Sequence, residues 1–252
     1  MSISKNCIKY IRSLELKKNR KSGQVFLAEG PKTVAELLGT FHCTLLVATT
    51  EWLDAHEVKG LADEVAEVTE QELARASLLK TPQQVLAVFR QPEEQVDTTL
   101  PARTLCLALD GVQDPGNLGT IIRIADWFGI EHIFCSPDTT DAFNPKTVQA
   151  SMGALARVHL HYLLLEELIK NIDGQPIYGT LLDGENLYEV ETTDHGLIVM
   201  GNEGNGISSE IKSLVNRRVL IPNYPEGRQT SESLNVAIAT AIVCSEFRRR
   251  IR

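Results

Sequence analysis

The sequence predicts an α/β protein: a parallel sheet with helices on both faces, preceded by a smaller mixed α/β domain. Three observations carry this. Beyond residue 104 the chain alternates strand, loop and helix, the rhythm of a parallel sheet. The run Thr104–Asp110 is almost unbroken apolar sequence, as expected of a strand buried on both faces. Before it, Gln91–Arg103 is polar, bracketed by Pro92 and Pro101 and without periodicity, which marks a connection. With 252 residues the chain accommodates two domains. We place a first domain at 1–95, a linker at 96–103 and a second domain at 104–252.

In the first domain Lys9–Lys21 reads as a basic helix and Val25–Ala28 as a short strand. Gly30-Pro31 opens a helix through Leu38, with proline suited to the first turn. Thr44–Ala48 and Val85–Phe89 are strands. Thr69–Ser77 is a helix capped by Thr69, with acids in its first turn. In the second domain the helices are Leu118–Phe128, Pro145–Ala156, Ser208–Val215 and Ser233–Arg250. The strands are Thr104–Asp110, His132–Cys135, Ile177–Leu182, Leu197–Met200 and Arg218–Ile221, and His159 and His161 alternate on a further one.

A hydrophobic fraction of 43% against 23% charged residues excludes a disordered chain, and no apolar run reaches the ~18 residues of a membrane span. The N-terminus has charge but no apolar segment, so no secretory signal is expected. Five scattered cysteines, none spaced C-x-x-C, argue against a disulfide framework or a zinc site and for a reducing cytoplasm. Six histidines form no ligand pattern with acids, so no metal is expected.

The net charge of −8 discourages a polyanionic partner only if charge is spread evenly, and it is not. Residues 1–30 hold seven cations against Glu15 and Glu29. The last nine residues hold four arginines against Glu246, and 47–100 hold 11 acids against four bases. Screening beyond about 8–10 Å lets a local patch bind RNA whatever the sum. Lys17, Lys18, Arg20 and Lys21 are the candidate patch, and a solvated helix face is the competing reading.

Three constellations carry the chemistry. In Asp110-Gly111-Val112-Gln113-Asp114-Pro115-Gly116-Asn117 a buried strand ends in a polar turn, with Asn117 placed to cap the next helix. Thr120, Arg123 and Trp127 share one side of that helix. Loops at strand ends are where α/β sheets hold ligands, although a capped helix with one surface arginine also fits. The second, Gly201-Asn202-Glu203-Gly204-Asn205-Gly206, allows close backbone approach. Its spacing is not that of a dinucleotide loop, and Ile221-Pro222 stands where a ribose-binding acid belongs, so a small-molecule Rossmann enzyme is disfavoured. The third joins Ile221-Pro222 to a last helix lined by small residues, with Ser233 and Asn235 at its start.

Together these blocks resemble the three motifs of the SpoU–TrmH family of RNA ribose 2′-O-methyltransferases, of the SPOUT superfamily, over residues 104–252. The first 95 residues resemble, more loosely, the ribosomal-protein-like RNA-binding domain of that family, through Tyr10-Ile11 and Phe26-Leu27-Ala28-Glu29-Gly30. The resemblance implies a C-terminal trefoil knot and S-adenosylmethionine held without metal by Gly201, Ile221, Leu234, Met200, Thr180 and Leu181. It makes Asn117, Arg123, Glu203, Ser233 and Asn235 the catalytic cluster. Arg123 would stabilise the ribose 2′-oxyanion, since a guanidinium stays protonated. It further implies a homodimer through the C-terminal domain, for which Ala237, Ala239 and Ala241 supply small surfaces and Ile238, Ile242 and Phe247 apolar ones. Two departures stand out: Gln149 where the family commonly has arginine, and a long stretch Asn223–Thr230, in which Arg228 offers a substitute RNA contact. The two-domain layout favours ribosomal RNA over tRNA. A catalytically inactive RNA-binding member is the remaining alternative.

Overall fold

In the computed structural model, which describes residues 3–93, 95–172, 174–225, 228 and 233–250, the chain divides into two units. The first is Met1–Glu94 with Asp141–Ala156, the second Gln95–Thr140 with Arg157–Arg252. The excursion 141–156, read from sequence as part of the second domain, packs with the first.

The first unit contains helices α1 (Lys5–Ser13) and α2 (Lys17–Gly23), strand β1 (Val25–Glu29), α3 (Pro31–Leu37), β2 (Cys43–Ala48), α4 (Thr50–Ala55), β3 (Val65–Glu67), α5 (Glu70–Ala76) and β4 (Val85–Arg90). The basic helix expected over Lys9–Lys21 is thus two helices. Leu14 closes the first by donating its N–H to the carbonyls of Ile11 and Arg12, and Leu16 is extended at the start of the second. The strands pair in the order β1-β4-β2-β3. One face buries Val25, Leu27, Leu45, Val47, Leu86 and Val88 against Ile11 of α1, Leu14 just after it, and Leu73 and Ala76 of α5. Alternation along a strand turns Phe26 and Phe89 to the other face, where the Phe26 ring meets Phe41 at 5.2 Å and Phe143 at 4.8 Å.

The second unit begins with β5 (Leu105–Asp110), followed by the helix Pro115–Trp127, here α6, and β6 (His132–Cys135). The excursion in the first unit then carries α7 (Pro145–Ser151), shorter than expected because Met152 is left-handed, φ 50°, and Gly153 follows at φ 91°. The second unit resumes with β7 (His159–Tyr162), α8 (Leu165–Asn171), β8 (Ile177–Asn186), β9 (Gly196–Gly201), α9 (Ser209–Leu214), β10 (Arg217–Leu220) and α10 (Val236–Arg250). The six strands form one sheet, order β10-β8-β9-β5-β6-β7, with parallel pairing throughout. Cys106, Ala108, Leu197 and Val199 pack against Leu168 and Ile169 of α8 and Ile211 of α9. Tyr178 lies on the opposite face and meets Phe247 of α10 edge-on at 4.7 Å. Helices therefore cover both faces, and β5 and β9, buried at the sheet centre, deliver their carboxyl ends side by side, with Asp110 opposite Gly201.

Candidate active site

The loops leaving β5 and β9 are tied before any side chain reaches toward a ligand. Asn202 donates to the Gly111 carbonyl at 2.7 Å, and its own carbonyl oxygen accepts from the N–H groups of Gly204 and Asn205. Asp110 accepts from the Ser208 N–H at 2.7 Å. Gly201 is obligatory here, because a β-carbon would lie 2.2 Å from the Gly206 carbonyl carbon across the closed turn. At the end of β6, Ser136 accepts from the Gly111 N–H at 2.8 Å and donates to Asp138 at 2.6 Å.

Helix α6 is capped by Asp114, not by Asn117: Asp114 accepts from the Asn117 N–H at 2.8 Å. Pro115 takes the first helical position, so the helix starts three residues earlier than expected and Asn117 lies inside its first turn. That frees the Asn117 side chain for a relay. Its amide nitrogen donates to Glu203 at 2.9 Å, and its oxygen accepts from the Asn235 amide at 2.9 Å. The Asn235 oxygen in turn accepts from the N–H groups of Ala237 and Ile238 at the start of α10. The direction is forced. An ionised carboxylate only accepts and a helix N-terminus only donates, so each amide between them has one orientation. Glu203 also accepts from the backbone N–H groups of Gln113 and Asp114, both at 3.3 Å. A carboxylate serving three donors positions a loop.

Beside this relay lies a cavity of about 340 Å3. Thr180, Leu181, Met200, Gly201, Ile221 and Leu234 all line it, as do Glu203 and Ser233. Thr180 is pinned there by donating to the Val199 carbonyl at 3.1 Å. Ser233, Leu234 and Asn235 precede α10 instead of beginning it, because Asn235 is spent as its cap.

Arg123 lies six residues beyond Asn117 on α6, roughly 9 Å along the axis. It is exposed and holds no polar partner among the described residues. The structure therefore joins Asn117, Glu203 and Asn235 directly and leaves Arg123 outside their hydrogen bonds. Phe247, expected to offer dimer surface, is fully buried against Tyr178. Arg20, expected to meet RNA, is also buried: it donates to the carbonyls of Leu14 and Glu15 and pairs with Asp141 at 2.7 Å. Lys17, Lys18 and Lys21 on the same helix are exposed. Gln149 is exposed on α7, and Arg228 is exposed while its neighbours 226, 227, 229 and 230 lie outside the described residues. Sequence reasoning missed Asp114, Asn202 and Ser136; the asparagine between Gly201 and Glu203 was the one local signal, an Asx turn closing a glycine loop.

A partly apolar cavity at the carboxyl ends of parallel strands, edged by an amide relay, lies where α/β folds hold small-molecule ligands. The chain belongs to the SpoU rRNA Methylase family, which matches residues 104–245, and residues 5–87 match the MRM3-like substrate binding domain. It is 31% identical to the 23S rRNA guanosine-2′-O-methyltransferase RlmP of Bacillus subtilis, over 96% of this chain and 95% of that one. Among solved structures, a TrmH-family protein from Porphyromonas gingivalis is 45% identical with a TM-score of 0.88, over 99% of this chain and 100% of that one. The AdoMet-bound rRNA methyltransferase from Sinorhizobium meliloti is 31% identical with a TM-score of 0.84, over 100% and 97%.

Proposed function

We propose that the protein transfers a methyl group from S-adenosylmethionine to a ribose 2′-hydroxyl of ribosomal RNA. The observation that carries this is the Glu203–Asn117–Asn235 relay beside the cavity at Gly201, in a chain whose relatives carry that activity in their names. The cavity fits the cofactor: its volume is in the range of small-molecule sites, ~300–1,000 Å3, and Leu181, Ile221 and Leu234 offer apolar surface to an adenine. When bound, S-adenosylmethionine supplies the methyl group on a sulfonium sulfur.

The rest falls to the chain. Glu203 and Asn117 hold the loop 113–117 rigid and thereby fix the base of α6. Arg123, without a polar partner among the described residues, stabilises negative charge growing on the ribose oxygen and holds the adjoining phosphate. Ser233 and Asn235 hold the entry to α10 at the cavity mouth. The exposed lysines of α2 meet the RNA backbone. We further read the C-terminal segment as threading a trefoil knot, and the protein as a cytoplasmic homodimer. Supporting the dimer, Trp127 is 85% and Ile238 53% exposed on α6 and α10, two helices that pack together. All five cysteines are free, as a reducing compartment keeps them. Among the described residues no helix is long and apolar enough to cross a membrane, and no cluster of three His, Cys, Asp or Glu could hold a metal.

The test is to map 2′-O-methyl sites in total RNA from cells with and without the gene, alongside calorimetry of S-adenosylmethionine binding in chelator. Loss of one ribosomal site and metal-independent binding are expected. An unchanged methylation map, or binding that requires a divalent ion, would contradict the reading.

A further inference from the structure

The first unit holds a cavity of about 530 Å3 that the proposed methyl transfer does not use. Pro31, Leu73, Ala74 and Pro82 give it apolar walls, and Glu70, Gln83 and Gln84 give it polar edges. None of these three polar side chains has a hydrogen bond or ion pair among the described residues. Gln84 is left-handed, φ 45°, a costly backbone for a residue with a β-carbon. It is held there because its carbonyl accepts from the Thr49 N–H at 2.8 Å and the Val85 N–H donates to Gln83. The fold thus spends backbone strain to present two adjacent carboxamides at an open cavity, a pattern found where a ligand is read.

The chemistry of the edges selects the ligand. Glu70 when ionised only accepts hydrogen bonds and repels phosphate, whereas a carboxamide both donates and accepts. A neighbouring cavity of about 480 Å3 carries Glu51, Glu67, Glu70 and Glu72 and repels phosphate further. Lys32 and Lys80 flank Pro31 and Pro82 in sequence, are exposed, and have no ion pair among the described residues. Apolar walls for a ring and an acceptor for N–H groups describe a base whose own phosphates stay outside. Unstacked bases held in this way are the usual route to specific RNA recognition.

We propose that this cavity holds one unpaired RNA base bearing an exocyclic amino group, and so selects the substrate RNA away from the methylated ribose. The proposal rests on the reading of the first unit as an RNA-binding domain. Adenine, cytosine and guanine each offer Glu70 an amino donor. Uracil offers a single ring N–H between two carbonyls, which the carboxylate repels.

The test uses the full chain and fluorescent oligomers of about eight nucleotides, the span one small domain covers: oligo(A), oligo(C) and oligo(U). Anisotropy should show oligo(A) and oligo(C) binding about tenfold tighter than oligo(U), the effect of one charge-assisted hydrogen bond. Glu70→Gln should collapse that ratio. Ala74→Trp, an addition at an exposed position that fills the cavity, should bring all three to the level of oligo(U), with thermal melting verifying that both variants fold. An oligo(A) carrying photoreactive 8-azidoadenine should crosslink within residues 70–84. Equal affinities in the wild type, variants without effect, or crosslinks confined elsewhere would overturn the cavity assignment while leaving RNA binding intact. No binding of any oligomer would overturn both.

Discussion

The two basic ends of the chain differ in what their cations do. At the C-terminus Arg248 donates to the carbonyls of Phe128 and Gly129, Arg249 and Arg250 both bond Glu246, and Arg250 also reaches the Val190 and Tyr188 carbonyls. These guanidiniums close the end of α10 onto the second unit. On α2 Lys17, Lys18 and Lys21 are exposed and have no ion pair among the described residues, while Arg20 between them is buried and, like the C-terminal arginines, engaged by carbonyls and a carboxylate. The division follows the side chains. A guanidinium has five donors in a fixed fork and suits several carbonyls at once; an ammonium is strongly hydrated and stays in water. Charge counts alone cannot tell a binding patch from a structural one, and Arg123 is an arginine that has no polar partner among the described residues.

The largest effect is therefore expected at Arg123. Arg123→Ala should slow methyl transfer by about 10²–10³-fold, the usual loss when one preorganised donor to an oxyanion is removed, with S-adenosylmethionine affinity unchanged by calorimetry. Lysine should rescue it poorly. In the same unit Leu234→Asp should abolish cofactor binding by setting a charge against the apolar cavity wall, while oligonucleotide affinity is retained.

Arg20→Met should act on stability instead: about 3 kcal/mol in urea unfolding, the cost of leaving Asp141 and two carbonyls without their donor. Lys17→Ala, Lys18→Ala and Lys21→Ala combined should leave melting almost unchanged. They should reduce the slope of log affinity against log salt by roughly 0.7 for each lysine that contacts single-stranded RNA. A flattened slope from Arg20→Met in a folded protein, or a large melting shift from the triple variant, would erase the distinction between free and engaged cations.

The smallest effects are in pH dependence, and they have opposite signs in the two units. Hydrogen bonds and charge from Arg249 and Arg250 hold the Glu246 carboxyl below its ordinary value of 4.5. Its contribution is present above that value and lost as pH falls through the depressed one. Glu29 is buried, and desolvation raises its carboxyl despite hydrogen bonds from Ser77 and Leu78. Its contribution is full below 4.5 and lost as pH rises through the raised value. Glu246→Gln should therefore weaken the protein at neutral pH relative to acid. Glu29→Gln should do the reverse, gaining slightly at neutral pH with the gain fading toward pH 4.5, both read as urea midpoints across pH.

Much of this was legible in the sequence, because the strands at the centre of the second sheet are continuous apolar runs and the loops after them are marked by glycine and asparagine. All six residues read as cofactor contacts line one cavity. The short elements α4, β3 and α8 were not legible: three to seven residues carry too little periodicity. The role of Asn117 was not legible either. A capping residue and a relay residue look alike until Pro115 fixes where the helix starts and the fold brings Glu203, 86 positions away, within 2.9 Å. Burial of Arg20 depends on the segment around Asp141, 121 positions away, for which the local pattern of α2 holds no sign.

The most direct measurement is single-turnover transfer from methyl-labelled S-adenosylmethionine to ribosomal RNA, followed by nuclease digestion and identification of the labelled nucleoside. The account predicts label in one 2′-O-methylnucleoside, lost when that nucleotide is replaced by its 2′-deoxy form and strongly slowed by Arg123→Ala. Label on a base, or transfer that persists on the 2′-deoxy substrate, would contradict it.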